Sequence, residues 1–289
     1  VDKLHLGTCS WKYPSWAGLV YSAPTGIDYL QEYARKYTTV EIDQWFWSLF
    51  DGGKIQLPKA EEVAAYHRAV PESFRFTIKA PNSVTLTHPY SRGGAPAAPN
   101  PFFLSAEVMR DFLARLEPIR EQLGMLLFQF EYLNRQKMAS PQQFQQQIQA
   151  FRQSLPRELP CGLEIRNGQW LNPAFFKFLL EAALRPVLLQ GYWMPPVTEL
   201  FARHRSLILR HPVVVLRLMG SDRQGIEKEA EGAWDRVLWS KEEELPGIAA
   251  MIREILAAGV ELYVNINNHY EGSAPRTIAR LLDLLGGVN

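Results

Sequence analysis

The sequence predicts an α/β protein that folds as a TIM-barrel-like (β/α)8 barrel, with room for irregularity, in a single domain over residues 1–289. Three observations predict it. Short apolar, β-branched runs recur eight times along the chain. Segments with helical spacing separate them. No linker rich in Gly, Pro or Ser divides the chain, whose length suits a barrel of about 250 residues or more. Near-continuous apolarity suits strands buried on both faces, as in a parallel sheet. A doubly wound open sheet is the rival arrangement, and eight repeats favour closure.

The first strand is expected at 4–8. The chain enters this run at once, with no basic region leading an apolar one, so no leader peptide is expected. Residues 27–36 follow as a helix, with Leu30, Tyr33, Ala34 and Tyr37 on one face. Strands are expected at 39–42 and 75–79. The irregular stretch 92–101 reads as a mobile loop over one end of the barrel, or else as a disordered surface excursion. Residues 106–123 place Val108, Phe112, Leu113, Leu116 and Ile119 at helical spacing before a strand at 125–130. Residues 141–155 are Gln-rich and amphipathic through Phe144, Ile148 and Phe151. The remaining strands fall at 162–165, 186–189, 213–218 and 261–266. Helices at 173–183, 245–258 and 274–285 complete the pattern.

Composition narrows the function classes. Hydrophobic residues are 47% and charged residues 21%, which excludes a disordered chain. The net charge of +1 removes any global electrostatic case for nucleic acid, although a local basic site stays open. Two cysteines, Cys9 and Cys161, read as reduced thiols of a cytoplasmic protein. No apolar run approaches the ~18 residues of a membrane helix, so no membrane partner is expected. Oligomeric state is unknown at this level.

Barrel enzymes draw their functional groups from the C-terminal ends of the strands. Those ends carry Trp11 after strand one; Glu41 and Asp43 on strand two; and Lys79, then Thr87 and His88, after strand three. They also carry Gln129; Glu164, Arg166 and Asn167, then Trp170; Gln190 and Tyr192; Arg217; and Asn265, Asn267 and His269. Charged groups that close apolar runs are costly unless paired or wet, so they are expected to meet around one cleft. Arg166 and Arg217 suit an anion through forked hydrogen bonds. Lys79 reads as a Schiff-base lysine, a phosphate-binding lysine or a solvated strand end. Glu41 and Glu164 read either as proton-transfer groups or as structural ion-pair partners. His88 is a candidate acid or base, or an exposed loop histidine. Trp11, Trp45, Trp47 and Trp170 can stack a ring or fill the core. Cys9 reads as a small apolar filler ahead of a nucleophile.

Several patterns are absent: no Gly-x-Gly-x-x-Gly, no phosphate loop, no Gly-x-Ser-x-Gly elbow, and no Cys or His cluster at metal spacing. No metal ligand is assigned and the cofactor is unknown. A divalent metal held by Glu41, Glu164 and Asn267 rests on donor type alone.

At these strand ends the sequence resembles domain-of-unknown-function family 72, the YecE-like family. Gly7-Thr8-Cys9-Ser10-Trp11-Lys12-Tyr13-Pro14-Ser15-Trp16-Ala17-Gly18 is similar to its first motif, Gly-Thr-Ser-Gly-Trp-x-Tyr-x-x-Trp-x-Gly. Thr39-Val40-Glu41-Ile42-Asp43 with Trp45-Phe46 resembles the second. Phe74-Arg75-Phe76-Thr77-Ile78-Lys79, then Thr87-His88, resembles the third. Leu126-Leu127-Phe128-Gln129, Leu163-Glu164-Ile165-Arg166 with Trp170, and Tyr263-Val264-Asn265-Ile266-Asn267-Asn268 follow in the family's order. The resemblance implies a TIM-barrel-like fold with a pocket at the strand C-termini and a reaction that is not established. The chain departs from the pattern at Asn167 (usually His), His269 (usually Asp), Gln190 (usually Asp) and Phe130-Glu131 (usually Leu-Pro-Pro). These departures leave altered chemistry or a binding role open.

The functional expectation is binding or transformation of a small polar anionic metabolite, phosphorylated or carboxylated and sugar-like. Lys79, Arg166 and Arg217 are expected to hold the anion. Glu41, Glu164 and His88 are expected to move protons, with a lyase, isomerase or hydrolase as the reaction classes in view. Gln129, Asn267, Trp11 and Trp170 would orient the substrate. The alternatives are a nucleic-acid-binding or endonuclease-like barrel and a non-catalytic ligand-binding paralogue.

Overall fold

The computed structural model describes residues 3–90 and 98–286. Eight parallel strands close a barrel: β1 (Leu4–Cys9), β2 (Thr39–Ile42), β3 (Arg75–Lys79), β4 (Leu123–Gln129), β5 (Cys161–Glu164), β6 (Arg185–Gly191), β7 (Val213–Gly220) and β8 (Glu261–Ile266). They follow chain order around the ring, and β1 closes it between β8 and β2. The helices are α1 (Tyr29–Tyr33), α2 (Ala60–Ala69), α3 (Asn82–Thr85), α4 (Ala106–Arg115), α5 (Pro141–Gln153), α6 (Pro173–Glu181), α7 (Val197–Ile208), α8 (Arg223–Ala230), α9 (Leu245–Ala257) and α10 (Ala274–Leu284).

All eight expected strands are present. The expected helices are shorter at identifiable stops. Asp28 caps α1 by accepting from the Leu30 and Gln31 amides, each at 3.0 Å, so that helix starts after residue 27. Pro118 has no amide hydrogen, so α4 ends at Arg115 and the chain continues as a 3-10 turn over Glu117–Gln122. Helices α2, α3, α7 and α8 and a hairpin of Leu49–Phe50 with Lys54–Ile55 were not expected. Residues 92–97 of the expected loop lie outside the described residues. Asn100, near its end, is pinned: its Nδ2 donates to the Ser83 and Leu86 carbonyls at 2.8 and 2.7 Å. Both cysteines are reduced and buried, and no described helix is long and apolar enough to cross a membrane.

Strand alternation places the site. In β7, Val214, Leu216 and Leu218 join the main core beneath the helices, while Val215 packs inside the barrel with Met125, Leu127, Val187 and Tyr263. The inward parity of each strand continues upward from this apolar plug. It brings Glu41, Thr77, Gln129, Glu164, Arg217 and Asn265 to the next levels. Cys9, Leu189 and Met219 pack together as a further inner apolar cluster. The bottom of the barrel is therefore packed, and its C-terminal end is polar.

Candidate functional site

Arg217 organises that polar end. It is almost fully buried, and its Nε and Nη2 donate to the two Glu41 oxygens at 2.7 Å each. Its Nη1 donates to Glu164 Oε2 at 2.5 Å and to Gln129 Oε1 at 3.1 Å. Asn265 Nδ2 donates to Glu41 and to Thr77 Oγ1, at 3.1 and 2.9 Å. Arg166 Nε donates to the other Glu164 oxygen at 2.8 Å. Burial pushes the Glu164 carboxyl up, but Arg217 and Arg166 outweigh it and hold Glu164 at about 2. Arg217 answers in kind: burial opposes its charge, and Glu164 and Glu41 more than restore it.

A cavity of about 1280 Å³ opens above this network. Ligand pockets usually occupy roughly 300–1,000 Å³, so the cavity has room for an extended ligand. Lys79, Asp43, Gln129, Arg166, Arg217 and Asn267 line its polar wall. Lys79 is 9% exposed, and its Nζ sits 4.2 Å from the Phe46 ring centroid. Among the described residues its Nζ makes no hydrogen bond or ion pair. Burial, then Arg217, lowers its pKa. Burial also raises the Asp43 carboxyl, against the pull of Lys79. Arg166 lies 4.5 Å over the Tyr192 ring.

Close backbone approach shapes the mouth. Gly220 ends β7 at φ +78°, and a Cβ there would lie 2.1 Å from the His269 carbonyl oxygen. Glycine thus lets the loop after β8 rest on β7. His269 Nε2 meets Glu227 Oε1 at 3.1 Å, and Arg223 Nε donates to the same oxygen at 2.8 Å. Burial and Arg223 lower the His269 pKa against Glu227. Trp47, Tyr90, Tyr132 and Trp193 form an exposed aromatic rim.

The structure gathers Glu41, Lys79, Glu164, Arg166 and Arg217 at one end of the barrel, with Gln129 and Asn267 beside them. Several expected roles need correction. Glu41 and Glu164 lie beneath the cavity wall, engaged by Arg217, so neither is placed to move a substrate proton. The same engagement denies a divalent metal the carboxylates proposed for it, and no group of three His, Cys, Asp or Glu among the described residues could hold one. Arg217 spends its donors on those carboxylates and forms the floor instead of an anion clamp. Trp11 packs edge-on against Tyr66, and Trp170 packs on Phe144; both belong to the core and neither lines the cavity. His88 stands outside the lining, its Nδ1 3.1 Å from Thr87 Oγ1. Asn167 is also structural: its side chain exchanges hydrogen bonds with the Leu133 backbone, both at 2.9 Å. Asp43, Tyr192 and His269, expected at the strand ends without an assigned role, also line the cavity, and the charged residues missed altogether are Arg223 and Glu227. Asp43 continues the inward parity of Glu41.

Fold and cavity together define a parallel (β/α)8-barrel protein with a charged, aromatic-rimmed cavity at the C-terminal ends of its strands. The chain belongs to the family described as protein of unknown function DUF72, whose model matches residues 5–289. UPF0759 protein YunF of Bacillus subtilis (strain 168) is 25% identical over 276 residues, covering 89% of this chain and 86% of YunF. UPF0759 protein YecE of Escherichia coli (strain K12) is 25% identical over 167 residues, 58% of this chain, and the match spans only 50% of YecE. A crystal structure of a DUF72 family protein from Enterococcus faecalis V583 superposes with a TM-score of 0.69 at 21% identity, covering 98% of this chain and 95% of that one. One from Thermotoga maritima MSB8 gives 0.66 at 23%, covering 98% and 99%. At these identities the likeness shows the fold.

Proposed function

We propose that the chain binds a small polar anionic metabolite at the C-terminal mouth of the barrel, as the first step of transforming it. One observation carries this reading. Arg217 pairs with the buried Glu41 and Glu164 and Arg166 with Glu164, while Lys79 pairs with neither, so Arg166 and Lys79 keep donors to spare on the cavity wall. Arg166 spends only Nε on Glu164 among the described residues, which leaves its Nη fork for a carboxylate or phosphate. Lys79 adds positive potential in a partly desolvated site. Gln129 and Asn267 supply neutral polar contacts, and the rim aromatics supply flat surfaces for a sugar-like ring.

Native mass spectrometry of the purified chain, followed by a thermal-shift panel of carboxylated and phosphorylated metabolites, tests the reading. A retained anion, or a saturable shift given by anions and not by their neutral analogues, supports it. A ligand at 100 times its Kd stabilises by about 2.7 kcal/mol, which such a panel detects. Shifts given by neutral compounds alone overturn it.

The four exposed rim aromatics favour one other reading, a single-stranded oligonucleotide stacked across the mouth. The acidic wall residues Asp43, Glu131 and Glu227 oppose a polyanion. Oligonucleotide affinity falling steeply with salt would select that reading over the metabolite.

A further inference from the structure

We propose that Lys79 is a covalent nucleophile whose amine condenses with the carbonyl carbon of an anionic aldehyde or ketone. The proposal rests on the anion-binding reading, with Arg166 holding the charged end of the compound. Lys79 stands at the end of β3 with the inward parity of Thr77, and it lines the cavity. Its Nζ rests on the Phe46 face and has no carboxylate within 4.0 Å among the described residues. The carboxylates that would otherwise hold its proton, Glu41 and Glu164, are taken by Arg217. An ion-paired lysine holds its proton tightly, whereas an unpaired, buried one beside a guanidinium gives it up more readily. The charged groups facing it are Arg217 on β7, Glu41 on β2, Asp43 just beyond β2 and Glu164 on β5. Burial and Arg217 prevail over the three carboxylates.

The step balances as follows. The nitrogen lone pair forms a bond to the carbonyl carbon, and the C=O π pair moves to oxygen, which takes a proton while nitrogen loses one. The C–O bond then breaks, the hydroxyl leaves as water with a second proton, and the nitrogen lone pair closes the C=N bond. Asp43 lines the same cavity, and burial raises its carboxyl, which favours the protonated form able to donate to the departing hydroxyl.

The test incubates the full chain with glyoxylate, or with the neutral aldehyde acetaldehyde, at about pH 7 with sodium cyanoborohydride. Peptide mapping then locates the reduced secondary amines. An ordinary lysine is neutral in fewer than roughly one molecule in a thousand at that pH. The exposed Lys12 and Lys54 therefore serve as internal standards. The proposal predicts glyoxylate labelling of Lys79 faster by about tenfold or more than of either standard. Because the adduct is mapped on the unaltered chain, the result does not depend on a variant folding. Lys79 labelling no faster than Lys12 and Lys54 with both aldehydes overturns the proposal, and leaves the anion reading to its own tests. Preferential Lys79 labelling by both aldehydes alike keeps the nucleophile and defeats the anion reading.

Discussion

Arg217 grips both oxygens of Glu41 at 2.7 Å, although 176 positions of sequence separate the two residues. The same guanidinium reaches Glu164 from across the barrel. One buried arginine thus pairs with two carboxylates beneath the cavity, the second shared with Arg166, and Lys79, Arg166 and Arg223 also line the cavity.

Removing that arginine strands two buried carboxylates. Arg217→Met should cost about 3–5 kcal/mol in urea unfolding, the range for breaking a buried pair by deleting one partner. Adding Glu41→Gln and Glu164→Gln should recover a large part of the loss. A single-variant loss below about 1 kcal/mol would mean that the network is wetter than its burial indicates.

Glu164 predicts the acid side of the stability curve. Its folded-state pKa of about 2 lies below its ordinary value of 4.5, so its contribution is complete above 4.5 and fades as pH falls toward 2. Stability measured by denaturant across that interval should fall in the unaltered chain, and Glu164→Gln should flatten the fall. Equal slopes in the two proteins would remove Glu164 as the source.

Asp43 has the opposite sign. Its folded-state pKa is raised above 3.8, chiefly by burial, so the fold favours its protonated form and loses that advantage as pH rises. Asp43→Asn should therefore raise the unfolding midpoint near neutral pH and leave it unchanged below about pH 3. A lowered midpoint at neutral pH would show that the Lys79–Asp43 attraction outweighs the burial cost.

Tryptophans at the two ends of the exposure scale should separate core from rim. Trp11 is 5% exposed and Trp193 is 95% exposed. Trp11→Ala should cost about 3–5 kcal/mol, while Trp193→Ala should stay within about 0.5 kcal/mol. Chemical denaturation of both variants checks this, and comparable losses would contradict the assignment of Trp11 to the core.

The barrel was legible because its strands are buried on both faces and announce themselves as apolar runs. Polar residues at those run ends, Glu41, Lys79, Glu164 and Arg217, were legible for the same reason: three of the runs hold no other charge, and in 75–79 the other, Arg75, sits at the opposite end. Their roles were not, because sequence does not say which carboxylates one guanidinium will claim. Helix α2 escaped because Val63 is its one fully buried apolar residue, leaving no wide stripe. Arg223 and Glu227 lie on a short polar helix, where no apolar periodicity marks an inward direction. Trp11 misled because Ser10, at φ +61°, breaks the alternation that Cys9 obeys and sends the indole into the core.

Calorimetric titration of the strongest anionic ligand into the unaltered chain and Arg166→Ala tests the central claim most directly. The account predicts one saturable site, with affinity at least about tenfold lower in the variant, since a charge-assisted hydrogen bond contributes about 1.5–3 kcal/mol. Equal affinity in the two proteins would contradict it.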